Sequence, residues 1–322
     1  REIMKSLFHA KNNYELFVTN SSALSLALFE TKNSFIIPNA SSPEYIQKLI
    51  SICKTNKIDV VIGGSVPEIE VLSNNLSIFS ENNIHVISNP GNVIKLCSDK
   101  LEIINYLRSK SIKCPKTYNF DIELLNKIDT FPLIIKPRKG SGSRNVFLCH
   151  DKEEAIFFGN YLKKYGNDPI FQEHVGNYSE EYTIGTLYAD QGKLSVSVAM
   201  KRILEGNLST NQISTSPYSG KKFVVSSGIS QGYFDSFPEL CSYGKKIAKT
   251  VGADGPINIQ CRKDEDGEIV VFEINPRFSG SVASRSLMGH NEPDILIQYK
   301  LNDVIPEINK TIPGYVMKDF DE

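Results

Sequence analysis

Along the first ninety residues the apolar positions switch repeatedly between a helical and a strand period. Ile3, Met4, Leu7 and Phe8 recur at helical spacing. Residues 14–19 and 34–37 read as strands, the second closed by Pro38, with a helix expected over 23–29 between them. Ser42 and Pro43 then offer a cap and a first-turn proline ahead of the stripe Ile46, Leu49, Ile50 and Cys53. The apolar run 58–62 ends at Gly63-Gly64, and a helix over 67–79 leads to a strand over 84–88. Alternation of this kind predicts parallel β-α-β units and a small doubly wound sheet over residues 1–96. Asn89-Pro90-Gly91 is the turn expected at its boundary.

Beyond that turn the pattern changes. Ser98 or Asp99 is placed to cap a helix through Leu101, Ile104 and Leu107. Strands are predicted at 131–136 and 145–149, joined as a hairpin by a glycine-rich basic loop, and a helix at 151–165. The remainder is strand-rich: 170–174, 181–189, 193–203, 257–263 and 269–275, the last two joined at Asp266-Gly267 and interrupted upstream by a helix over 237–251. Residues 205–220, polar and rich in Ser, Thr and Asn, read either as a mobile loop over an acceptor pocket or as a solvent-exposed insert. The domains expected are 1–96, 97–170 and 171–322.

Composition removes several classes. In 322 residues, 36 Lys+Arg stand against 37 Asp+Glu for a net charge of −1, which argues against general phosphate neutralisation and so against a nucleic-acid partner. No apolar run approaches the ~18 residues of a membrane span. Cys53, Cys97, Cys114, Cys149, Cys241 and Cys261 form no C-x-x-C pair and read as buried apolar residues in a reducing cytoplasm, the expected location. The histidines are scattered, with no H-E-x-x-H, so a hydrolytic zinc centre is not expected.

Three segments carry chemistry. In 136–146, KPRKGSGSRNV, Lys136 and Lys139 flank Gly140, Ser141, Gly142 and Ser143, a composition suited to cradling phosphate. In 271–281, VFEINPRFSGS, Glu273 and Asn275 share one strand face, Arg277 follows, and Asn258 and Gln260 repeat the period on the preceding strand. Pairing through Asp266-Gly267 would bring Gln260, Glu273 and Asn275 together as hard oxygen ligands for a magnesium–nucleotide site. In 171–185, backbone groups of Glu173, His174 and Val175 are placed to read an adenine edge, and Glu181 to take ribose hydroxyls. Lys201 and Arg202 end a strand; Arg285 and Asn291 are weaker candidates to approach the cleft.

Together these segments resemble the ATP-grasp superfamily, in its carbamoyl-phosphate-synthase-like branch, over essentially the whole chain. The resemblance implies an α/β and α+β architecture: an N-terminal Rossmann-like parallel-sheet domain, a lid with the glycine-rich loop, and a catalytic subdomain. It implies that Lys100 and Lys136 are the phosphate-binding lysines, that Lys139 to Ser143 close over the phosphates, and that Glu173 and Val175 form the adenine hinge. It further implies Glu181 for ribose, Gln260, Glu273 and Asn275 for the metal, and Arg277 for the transferred phosphoryl group. It also implies that Arg202 faces the reacting carboxylate or the phosphates. The cofactors implied are ATP and Mg²⁺, with Mn²⁺ as a substitute. The activity implied is ligation of a small carboxylate to an amine through an acylphosphate. The alternatives are a phosphotransferase forming an acyl or carbamoyl phosphate, and a non-catalytic ATP-binding regulatory module. A homodimer is compatible with the resemblance. Because relatives begin with a strand and a glycine-containing turn, the first strand is expected to be missing ahead of the opening helix.

Overall fold

The structure is a computed structural model that describes residues 1–140, 142–204, 210–226 and 231–318. Its largest sheet has six antiparallel strands in the order Ile269–Asn275, Gly255–Lys263, Glu181–Ala189, Leu194–Arg202, Gly232–Phe234 and Gly314–Val316. Every residue of Glu181–Ala189 is buried. That explains why this segment lacks a clean alternation: it is covered on both faces. One face takes helix Pro238–Val251 together with Gly91–Ser98 and Lys100–Ser109, through a core containing Ile104, Leu107, Ile184, Ile247 and Ile259. The other takes helix Glu292–Asn302 and Leu7 of the opening helix Glu2–Phe8.

The glycine-rich segment lies in a four-stranded antiparallel sheet ordered Thr117–Asn119, Pro169–Glu173, Leu133–Pro137, Phe147–Cys149. The hairpin expected there forms, with Leu133 opposite Cys149. Helix Lys152–Lys164 covers this sheet and is capped by Asp151, whose carboxylate accepts from the Glu154 amide at 2.9 Å. Gly159 on that helix lies against Phe120: an added Cβ would stand 2.0 Å from the ring.

The N-terminal strands are parallel, as the alternation predicts, but form two separate pairs, Phe17–Asn20 with Asn33–Ile36 and Val60–Ile62 with His85–Ile87. Two predicted helices differ. Over 23–29 only the 3₁₀ turn Leu26–Leu28 forms, because Asn20 and Ser22 side chains capture the amides of Ser22 and Leu24 and turn the chain locally. The helix expected over 67–79 is two, Val66–Ser73 and Leu76–Ser80, divided at Asn74-Asn75; Ser65 and Glu68 cap the first reciprocally. Of the polar stretch expected as a loop, residues 205–209 lie outside the described residues. Thr210–Thr215 pairs with Lys222–Ser226 as a second hairpin instead, and its valines Val224 and Val225 are buried. The apolar run Phe223-Val224-Val225, just past that stretch, was the signal for that strand.

Candidate active site

Between the two large sheets lies a cleft of about 770 Å³. Its polar end is lined by Lys136 and Lys100, and Arg277 follows the lining residue Pro276. Lys136, on Leu133–Pro137, is 4 % exposed, and its ammonium donates to Gln172 Oε1 at 2.8 Å. Burial pushes it down to about 8, with the Glu273 carboxylate opposing and Lys100 adding to the fall. Lys100 opens helix Lys100–Ser109, where Asp99 is the cap, and its Nζ donates to the Gly140 carbonyl at 2.6 Å. Burial lowers Lys100 too, again against the pull of Glu273. Arg277 donates to the Phe278 carbonyl at 2.9 Å and is lowered by burial against the same carboxylate. Glu273 is thus the shared counter-charge of three desolvated cations, an arrangement with positive charge in excess and suited to a polyphosphate.

The strand pairing places Gln260 opposite Glu273 and Asn258 opposite Asn275. Gln260, Glu273 and Asn275 all line the cleft. Asn275 Nδ2 donates to Glu273 Oε1 at 2.9 Å, which turns the Asn275 carbonyl oxygen away from the carboxylate and leaves Glu273 Oε2 outside that bond. Among the described residues no three His, Cys, Asp or Glu side chains converge on a metal position. A magnesium ion would therefore be held by one carboxylate, two amide oxygens and nucleotide phosphates, a donor set of hard oxygens that fits it.

In the glycine-rich loop, Gly140 and Gly142 have φ of +124° and +75°, values that favour glycine. Lys139, Gly140, Gly142 and Ser143 line the cleft, and Ser141 lies outside the described residues. Arg138 is spent on structure: its Nε lies 2.8 Å from both Asp99 oxygens, tying the loop to the cap of the lysine-bearing helix.

Glu173, His174 and Val175 all line the cleft. The Glu173 amide donates to Lys116 O at 3.0 Å and the His174 amide to Pro132 O at 3.3 Å, whereas the Val175 amide bonds no other described residue. Only Val175 therefore offers a donor to a base edge. Apolar walls come from Ile134, Val225, Phe272 and Ile274. The imidazole of His174 is engaged by Arg262 Nη1 at 2.7 Å. Because a guanidinium only donates, Nε2 is the acceptor and the ring is neutral, in keeping with burial and the Arg262 charge pushing it down to about 3.

Glu181 is 1 % exposed and sits between two arginines, with Oε1 2.8 Å from Arg202 Nη1 and Oε2 2.9 Å from Arg262 Nε. Glu181 lines the cleft; Arg202 does not, and is positioned by this buried pair rather than at the phosphate end. Lys201 pairs with Glu180. Arg285 does not line the cleft: it pairs with Glu292 at 3.1 Å and donates to Asn258 Oδ1 at 2.8 Å, on the sheet face that also carries Gln260. Asn291 caps helix Glu292–Asn302. Three residues at the site were not anticipated: Gln172, Thr117 and Arg262. Arg262 continues the Asn258–Gln260 period, so that spacing was the available signal.

Residues 1–87 match the family described as PylC-like, N-terminal domain, and residues 221–322 match the family described as ATP-grasp in the biosynthetic pathway with Ter operon. The crystal structure of a biotin carboxylase complex from Campylobacter jejuni superposes with a TM-score of 0.68 at 16 % identity, covering 97 % of this chain and 71 % of that one. The chain has the ATP-grasp fold. Among curated relatives, this chain is 36 % identical over 89 residues to a D-alanine–D-alanine ligase of Fusobacterium nucleatum, 28 % of each chain. It is 26 % identical over 210 residues to a carbamoyl phosphate synthase large chain of Clostridium perfringens, 63 % of this chain and 18 % of that one. The chain thus spans less than a third of the length of either relative. No helix among the described residues is long and apolar enough to cross a membrane.

Proposed function

We propose that this ATP-grasp protein is an ATP- and magnesium-dependent ligase that activates a small carboxylate as an acylphosphate for attack by an amine. The observation that carries the reading is a cleft lined at one end by Lys100, Lys136 and Glu273, with Arg277 beside the lining residue Pro276, and at the other by an apolar slot beside the Val175 amide. Such a cleft takes adenine at one end and the triphosphate at the other.

In the proposed reaction a carboxylate oxygen attacks the γ-phosphorus in line and ADP departs with the bridging oxygen. The amine nitrogen then attacks the acyl carbon, loses its proton and displaces inorganic phosphate. Lys100 and Lys136 hold the phosphates, Arg277 steadies the transferred group, and Lys139 with the loop 140–143 covers it from water. Magnesium bound by Gln260, Glu273 and Asn275 supplies further charge neutralisation at the phosphates. Val175 orients the base through its amide. Glu181, which lines the cleft, faces the ribose, and Arg202 acts by fixing Glu181.

The ligase named for joining two D-alanines makes an amino-acid pair the first substrates to test. The experiment is ADP release against paired small carboxylates and amines, with Glu273→Gln as control. Release that needs both partners and is lost in the variant supports the reading. Unchanged turnover in Glu273→Gln would falsify the metal assignment.

A further inference from the structure

Gln172 lies next to the proposed phosphate lysine and has no role in the account so far. It is 3 % exposed, on strand Pro169–Glu173, and lines the cleft. Strand register places Ile134 opposite Gln172 and Lys136 opposite Ile170, so the lysine and the glutamine are diagonal neighbours on one face. The orientation of the amide follows from a chain of donors. The Thr117 hydroxyl donates to the Pro115 carbonyl at 3.2 Å, which commits its proton. Thr117 Oγ1 then accepts from Gln172 Nε2 at 2.8 Å, and that turns Gln172 Oε1 toward the Lys136 ammonium, also at 2.8 Å. A backbone carbonyl thereby fixes, through two buried side chains, the direction of the lysine.

The chemical type of the partner matters as much as its position. A carboxylate at this place would pair with Lys136 and compete with phosphate for it. A neutral amide holds the ammonium in a single direction and adds no counter-charge to that of Glu273. We infer that Gln172, set by Thr117, is a positioning residue that keeps Lys136 both aimed and electrostatically available to the nucleotide phosphates. This rests on the phosphate role proposed for Lys136.

The test is a double-mutant cycle on ATP affinity, measured calorimetrically on the full chain with Gln172→Glu, Lys136→Met and the double variant. Gln172→Glu is close in shape and can still accept from the ammonium, so the fold is retained, which the unfolding midpoint checks. It is expected to weaken ATP about tenfold or more by neutralising Lys136. In the Lys136→Met background the same change is expected to cost less than about twofold, because the charge it acts on is gone. Thr117→Val, which frees the amide to rotate, is expected to weaken ATP in the wild-type background only. Equal losses from Gln172→Glu in both backgrounds, or no loss in either, overturn the inference. Unchanged affinity in Lys136→Met alone overturns the underlying phosphate assignment, and the two failures are told apart by that single variant.

Discussion

Replacing Lys136 with Met should stabilise the nucleotide-free protein while weakening its response to ATP. The folded lysine is lowered from its ordinary 10.5 to about 8 by burial. That fall corresponds to about 3 kcal/mol by which folding disfavours the charged form. Below pH 8 both the folded and unfolded lysines are protonated, and the whole penalty is present. Between pH 8 and 10.5 the folded lysine sheds its proton first, so stability rises with pH; above 10.5 both are neutral and the penalty is gone. Methionine fills the same buried channel without charge, but leaves Gln172 Oε1 without its partner at a cost of ~1–2 kcal/mol. The expected net gain at pH 7 is about 1–2 kcal/mol, a rise of ~2–4 °C in the unfolding midpoint, vanishing or reversing near pH 10.5. ATP with magnesium at one fixed concentration should raise the wild-type midpoint by linkage more than that of the variant, so their order inverts. Thermal and urea unfolding at pH 7 and 10.5, with and without nucleotide, measure both parts. A variant less stable than wild type at pH 7 without nucleotide refutes the argument that Lys136 is held charged at a cost.

Other consequences of the same geometry can be checked separately. Glu181→Ala leaves Arg202 and Arg262 buried without their shared carboxylate and should destabilise the protein by about 3–5 kcal/mol in urea unfolding. Gly185→Ala places a Cβ 1.9 Å from Arg285 Nη1 and 2.3 Å from Glu292 Oε1, both fixed in a buried pair, and should cost about 1–3 kcal/mol or more in the same measurement. The neutral His174 opposes folding at acid pH, because the unfolded ring gains a proton below its ordinary 6.5 while the folded ring resists to about 3. His174→Gln keeps an acceptor for Arg262, so its stability should fall less steeply than that of wild type between pH 6.5 and 4, and parallel pH curves would show that His174 contributes nothing there.

The sequence made the frame of the site readable because its strands obey a simple period. Glu273 and Asn275, two apart beside a short turn, do lie across from Gln260 and Asn258. The glycine-rich hairpin was readable from turn chemistry and from the apolar runs on either side. What one-dimensional spacing could not show was how each charge is used. Arg138 and Arg202 look as free in the sequence as Lys136, yet one is committed to Asp99 and the other to Glu181, residues 39 and 21 positions away. Those partners meet only through tertiary packing. The same holds for Gln172, whose importance depends on its diagonal to Lys136 across two strands separated by a helix. Short apolar stretches such as 23–29 were ambiguous for a local reason, since neighbouring Asn and Ser side chains competed for the amides that a helix needs.

The central claim is that a carboxylate oxygen attacks the γ-phosphoryl group in the Lys100–Lys136–Arg277 cluster. It is tested most directly by supplying ¹⁸O-labelled carboxylates with ATP, magnesium and an amine, and weighing the inorganic phosphate released. The account predicts one labelled oxygen in the phosphate for each ADP formed. Unlabelled phosphate appearing with ADP, in reactions where the amine product forms, would contradict it.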